Sequence, residues 1–285
     1  MTKLRIKKRS FNISMFNIKV SPKESKEDFT DLYTDLIKRL QSENIAINTR
    51  GEKWMELRTL FSYEDGKVLY GKLTYYTMLD GTDWYNKKTK KIQTVELDED
   101  LYPNAKEVEY FFIPEAHRFC FINKTSGIAM SQVEIFLEQG LPRLLDDTKS
   151  VIVTKELTSD VIERIMNASK LFRLEVGISY SNNDLSGEFE ELFDNDLRDG
   201  QIQDFNMVAK SFKADSIDIE NSKILQAALK LSQSNGFAEA TIQNNEGKNE
   251  NIATTEYPRK ELVLSTEGNE PKDVFSKVMR LFRNG

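Results

Sequence analysis

His117 and Cys120, the one histidine and the one cysteine of this chain, lie three residues apart and could form a nucleophile with its base. A thiolate nucleophile needs an imidazole within hydrogen-bond reach. Side chains alternate between the two faces of a β-strand, so residues three apart on a strand point to opposite faces. The spacing therefore favours a small buried cysteine over a catalytic pair.

Other catalytic motifs are absent from the sequence. It contains no glycine-rich phosphate loop, serine elbow or two-histidine metalloprotease motif. One histidine and one cysteine are too few for a zinc site of the usual ligand types. We expect no cofactor and no metal, and an enzyme would have to assemble its site from distant residues, as a nuclease or nucleotide-processing effector could.

Two groups of basic residues are the strongest indication of function. They are Lys7, Lys8 and Arg9 near the start of the chain, and Lys87, Lys88, Lys90 and Lys91 at the tip of a predicted hairpin. Trp84 and Tyr85 precede the second group, and lysines beside aromatic residues are typical of contacts to a nucleic-acid backbone. The alternative is solvated loop charge that protects a strand edge from unwanted pairing.

The overall charge sets a limit on this interpretation. A net charge of −6 argues against a protein that coats nucleic acid with its whole surface. It is compatible with a local basic site, because the field that attracts phosphate depends on the patch that is presented.

An acidic segment at residues 184–200 suggests a different partner. Its apolar residues have helical spacing, and Glu188, Glu190 and Glu191 are the first candidates for docking a basic protein. A solvated acidic helix is the alternative.

The stretch 117–180 gives the clearest prediction of secondary structure, in the order strand, helix, strand, helix, strand. Ser131 and Glu134 predict a capping box at the first helix, and Thr158 or Ser159 a cap at the second. The last strand predicts an inward face of Phe172, Leu174, Val176, Ile178 and Tyr180. Further along, Asn235 and Gly236 predict a left-handed helix end.

The remaining elements complete an α+β fold with two lobes. Residues 1–115 are predicted to form an N-terminal lobe, an antiparallel meander with one long helix. Residues 116–285 are predicted to form a C-terminal lobe of mixed, split β-α-β type layers. With one cysteine, no apolar run of about 20 residues and no secretory signal, the chain is expected in the cytoplasm without membrane insertion.

Segments along nearly the whole chain carry a resemblance to a known family. They are SFNISMFNIKV, KWMELRTLF, DWYN, HRFCFIN, LFRLEVGIS and LSQSNGFAEATIQNNEG. The chain resembles an uncharacterised bacterial family, known as a domain of unknown function and scattered among mobile elements and defence islands. Its size and late α+β order are distantly similar to the phage-exclusion protein RexA and to the KwaB subunit of a phage-defence system. This resemblance implies a two-lobed homo-oligomer that contacts DNA without sequence choice, with a second defence subunit as a possible partner.

These observations lead to one hypothesis with two rivals. We expect a non-enzymatic phage-defence or mobile-element protein that acts as a dimer and binds DNA non-specifically through backbone contacts. The first rival is the distributed-site enzyme described above. The second is a protein-interaction subunit that uses the acidic segment.

Overall fold

The computed structural model describes residues 7–21, 29–79, 83–95, 98, 100–123, 128–179, 195–197, 199–212, 215–244 and 247–283. The predicted α+β class is confirmed. Predominantly antiparallel strands form a large curled sheet, a smaller sheet and a separate hairpin. None of the helices in these ranges is long and apolar enough to cross a membrane.

The described strands and helices have the following bounds. The strands are β1 (Lys8–Ser21), β2 (Ile47–Arg50), β3 (Lys53–Tyr63), β4 (Val68–Thr77), β5 (Asp83–Asn86), β6 (Lys91–Thr94), β7 (Lys106–Ile113), β8 (Arg118–Ile122), β9 (Ser150–Lys155), β10 (Lys170–Ser179), β11 (Asp204–Lys210), β12 (Gly236–Gln243), β13 (Asn249–Ala253) and β14 (Lys260–Thr266). The helices are α1 (Phe29–Ser42), α2 (Met130–Gly140), α3 (Ser159–Met166), α4 (Lys223–Asn235) and α5 (Glu270–Arg283).

The large sheet is built around β1. On one side the first half of β1 pairs with β14 and its second half with β9, while β8 pairs with its other side. From β8 the sheet continues through β7, β4 and β3 to β2. Residues 13–20 of β1 are all buried, including Ser14, Asn17 and Lys19, so this strand lies in the interior with both faces covered.

Helices cover the large sheet on different parts of its surface. The long helix predicted for the N-terminal lobe is α1, and its residues Tyr33, Leu36 and Leu40 are buried in the main hydrophobic core. α5 packs on β14 and also on β4 and β7, which lie several strands away in the sheet order. The sheet therefore curls around α5, and Val274 and Val278 are fully buried there.

The smaller sheet has the order β11-β10-β12-β13, with α3 and α4 contributing to its own hydrophobic core. The inward positions predicted for Leu174, Val176 and Ile178 are confirmed, because all three are buried. Phe172 is only partly buried, and Leu171 is in the core instead. A bulge between Leu171 and Arg173 shifts the register at this point and breaks the alternation that the prediction assumed.

Chain order and spatial neighbourhood differ in the second half. β8 and β9 flank β1 in the large sheet, whereas β10 lies in the smaller one. Phe119, Val263 and Val278 share the main core with β1 and α1. The main core therefore contains residues from both sides of residue 115. The domain boundary at that residue stays a prediction.

Helix ends follow the local sequence only in part. Thr158 caps α3, its hydroxyl accepting from the Asp160 N–H at 3.3 Å. The capping box predicted on Ser131 and Glu134 is wrong: the N-cap of α2 is Ala129, two residues earlier, and the Gln132 side chain accepts from the Ala129 N–H at 3.0 Å.

The left-handed helix end predicted at Gly236 is also wrong. Its φ of 168° is extended backbone. A Cβ at this position would lie 1.9 Å from the Gly177 carbonyl oxygen. The glycine is needed for the close approach of β12 to β10.

Candidate nucleic-acid interface

The β5–β6 hairpin has a tip that is fixed by its own hydrogen bonds. The Asn86 side-chain oxygen accepts from the backbone N–H groups of Lys88 and Thr89, both at 3.0 Å. The Lys90 N–H donates to the Asn86 carbonyl oxygen at 2.8 Å, and the Asn86 amide donates to the Gln93 side chain at 2.7 Å. An asparagine that bonds its own backbone is a strong turn-former, so the local sequence specifies this tip.

All four lysines of the predicted hairpin site are at this tip. Lys87, Lys88 and Lys90 belong to the turn, and Lys91 begins β6. Each is exposed, and none forms an ion pair with a residue in the described part of the chain. Four positive charges within five residues repel one another, and an anion placed among them would relieve that repulsion.

Exposed apolar side chains lie on the strands of the same hairpin. Trp84 is 43 % exposed, and Tyr85 and Ile92, which are paired across the strands, are 61 % and 72 % exposed. β5 and β6 pair with each other and form a sheet separate from the other two. The hairpin therefore presents charge and aromatic surface together.

The base of the hairpin adds basic residues that the sequence analysis missed. The register pairs Arg50 with Lys53, Lys53 with Thr77, and Tyr75 with Lys106, so these residues share the sheet end from which the hairpin leaves. Arg50 and Lys106 are exposed. The Lys53 ammonium lies 5.6 Å from the centre of the Tyr75 ring and bonds the Thr77 hydroxyl.

A pair of stacked tyrosines completes this end of the sheet. The rings of Tyr76 and Tyr102 are 5.0 Å apart, and Tyr102 is 39 % exposed. Burial, followed by the nearby carboxylate of Glu56, raises the pKa of Tyr76 to about 12. Tyr76 therefore keeps its hydroxyl proton at neutral pH and adds no negative charge near the lysines.

The N-terminal group divides into two parts. Lys7 and Lys8 are exposed, whereas the Arg9 guanidinium is bound to Glu109 at 2.6 Å and to Glu270 at 3.0 Å. β1 and β7 are both antiparallel to β8, so they start at the same end of the sheet. Lys7 and Lys8 thus lie at the sheet end that carries the hairpin, and Arg9 serves to hold β1 to β7 and α5.

The other candidate functional residues lie partly inside and partly outside the described ranges. Glu188, Glu190 and Glu191 lie outside the described residues. His117 adopts a left-handed conformation, φ 52°, just before β8, and its ring lies 4.3 Å from that of Tyr33. Cys120 is fully buried within β8. In the described ranges no three His, Cys, Asp or Glu residues are grouped as a metal site would require.

The burial of Cys120 has a consequence at high pH. Burial raises the pKa of the thiol well above its ordinary 9.0. The folded protein then keeps a proton that the unfolded chain releases, so stability is lost as the pH rises above 9.0, by up to about 1.4 kcal/mol per pH unit.

We expect Cys120→Ala to remove this part of the alkaline destabilisation. Urea unfolding of both proteins at several pH values on either side of 9.0 measures it. An identical pH dependence for the variant and the wild type would contradict the assignment.

A buried ion pair lies away from the hairpin, where the two sheets meet. Arg118 Nε is 2.8 Å from Glu156 Oε1, and both side chains are completely buried. The Arg118 guanidinium also lies 4.1 Å from the centre of the Phe282 ring and donates to the Ala116 carbonyl oxygen at 2.8 Å. Nearby, Asn17 on β1 donates to the Asn235 side chain at the end of α4, at 3.3 Å.

Comparison with known proteins adds a family to this description. Residues 9–280 match the family model described as Domain of unknown function (DUF4747). The chain belongs to this family. The predicted membership of a domain-of-unknown-function family is thereby confirmed, over almost the full chain. No curated protein matches the chain. The setting in defence islands or mobile elements and the similarity to RexA and KwaB stay predictions.

Proposed function

We propose that the protein binds nucleic acid without sequence preference through the β5–β6 hairpin. One observation carries the proposal: Lys87, Lys88, Lys90 and Lys91 are exposed at a hydrogen-bonded tip, and no described acidic side chain pairs with them. Phosphate groups along a nucleic-acid backbone are the repeated anions that such a tip fits. Arg50, Lys53 and Lys106 extend the positive surface towards the base of the hairpin.

The shape of the hairpin supports a nucleic acid as the partner. The major groove of duplex DNA is wide enough to admit a two-stranded β-ribbon. β5 and β6 form such a ribbon, and their separation from the other sheets leaves both faces accessible to a groove. Lysines at its tip would then meet the phosphates on either side.

The chemistry of the hairpin favours contact with the backbone over base readout. Lysine binds phosphate as a point charge and carries little sequence information. The amides that could recognise adenine are already engaged, since Asn86 bonds the turn and Gln93. Binding should therefore depend on phosphate charge and not on base sequence.

Fluorescence anisotropy with two labelled duplexes of unrelated sequence tests the proposal. We expect equal affinities for the two duplexes at low salt, and an affinity that falls steadily as the salt concentration rises. Absence of binding at low salt would refute the proposal.

A further inference from the structure

β14 is an edge strand of the large sheet with one unpaired side. Its residues from Lys260 to Thr266 pair with β1, and no described residue pairs with the opposite side. The Glu267 N–H donates to the Lys7 carbonyl oxygen at 3.1 Å, which fixes the pattern: odd-numbered residues of β14 bond to β1. The N–H and C=O groups of residues 260, 262 and 264 therefore point to the open edge, whereas the Thr266 carbonyl oxygen accepts from the Asn269 N–H at 2.9 Å.

The side chains on this edge are unusually apolar for an unprotected strand. Leu262 is 53 % exposed and Leu264 is 71 % exposed. Both belong to the residues whose backbone groups point outwards. Edge strands of monomeric proteins are usually protected by charged residues or proline, because an apolar open edge pairs with other strands.

The inner face of β14 is held firmly against the protein. Val263 is buried, and the Ser265 hydroxyl donates to Asp273 on α5 at 2.7 Å. The Glu261 carboxylate binds Arg259 at 2.7 Å and Lys277 at 2.8 Å. A strand fixed in this way offers a preformed template, so little ordering is required when a second strand adds to it.

We propose that β14 is the surface through which two copies of this chain pair, edge to edge and antiparallel, about a two-fold axis at Val263. This register pairs all seven residues of the strand. It sets Leu262 opposite Leu264 of the second copy, so four leucines meet on the outer face. Lys260 lies at the start of β14 and Glu267 directly after its end, so antiparallel pairing brings opposite charges together. The interface is self-complementary, as two-fold symmetry requires.

Light scattering of the full chain over a range of micromolar concentrations tests the pairing. We expect a wild-type mass of twice the 33.0 kDa of the chain. Leu264→Lys places like charges near the axis of the interface, and we expect it to raise the dissociation constant by at least about tenfold.

Asn12→Lys is the matched control. Asn12 is exposed on the same outer face, but its strand is paired on both sides, so the dimer should persist in this variant. A monomeric wild type, or a dimer that L264K leaves intact, would overturn the proposal.

Cysteine cross-linking tests the register independently of affinity. In the proposed register Val263 faces Val263 of the second copy in a non-hydrogen-bonded pair, where Cα atoms are about 4.5 Å apart and a disulfide can form. Two cysteines at position 262 would be diagonal neighbours, about 7–8 Å apart and beyond disulfide reach. Cys120 is buried and does not compete. Oxidative cross-linking of V263C and not of L262C supports the register; V263C that stays uncross-linked contradicts it.

Discussion

Replacing Glu156 with glutamine is expected to lower the free energy of unfolding by about 3–5 kcal/mol. The substitution keeps the shape of the side chain but removes its charge. Arg118 then loses the charge of the carboxylate that lies 2.8 Å from its Nε, while its own side chain stays completely buried. Desolvating an unpaired charge costs far more than the loss of a surface contact.

Urea unfolding of the wild type and of matched variants distinguishes this effect from the general effect of removing an acidic residue. Glu43→Gln is the control, because Glu43 pairs with Arg39 at the same 2.8 Å while both side chains are well exposed. An exposed pair contributes at most about 1 kcal/mol. We also expect the double variant R118M/E156L to be more stable than E156Q, since it removes both charges of this pair together. An E156Q protein no less stable than E43Q would show that the pair is not needed.

Reversing the four hairpin lysines should change how nucleic-acid binding depends on salt. Each lysine that meets a phosphate contributes about 0.9 to the slope of log affinity against log salt concentration. Replacing Lys87, Lys88, Lys90 and Lys91 with glutamate should therefore flatten the slope by about 3–4 units. The tip itself should persist, because the bonds that fix it come from Asn86 and the backbone.

A variant with the same change in net charge is the control for long-range effects. Lys38, Lys170, Lys210 and Lys223 are exposed, lie on elements outside the hairpin and form no ion pair with a described residue. Glutamate at these four positions should leave the slope unchanged, since surface charges more than about 10 Å from the phosphates are largely screened. Equal slopes for the two variants would remove the hairpin from the binding site.

Features encoded by neighbouring residues were the ones that the sequence predicted. The long helix α1, the cap at Thr158 and the lysine-rich hairpin all depend on residues close together in the chain. The failures at Phe172 and Gly236 come from tertiary contacts, a register shift in one case and a close strand approach in the other. Local patterns contain no information about either.

The buried polar residues show the same limit more strongly. Lys19 and Asn17 are polar residues of β1, yet both are fully buried, because the smaller sheet and α4 supply partners. Arg118 and Glu156 come together only when β8 and the end of β9 flank β1. Their pairing depends on the topology of the sheet, which cannot be deduced from the number of residues between them.

The sequence predicted the four hairpin lysines of the candidate site but not the basic residues at the base of the hairpin. Lys87 to Lys91 form a run in the sequence, whereas Arg50, Lys53 and Lys106 are isolated there. The antiparallel register of β2, β3, β4 and β7 collects these three at the base of the hairpin.

Lysine footprinting tests the central claim most directly. The protein is acetylated with and without a saturating duplex, and the reactivity of each lysine is read by mass spectrometry. We predict that Lys87, Lys88, Lys90 and Lys91 are protected by the duplex while Lys38, Lys170, Lys210 and Lys223 react as before. Hairpin lysines that remain as reactive in the complex as in the free protein would contradict the account.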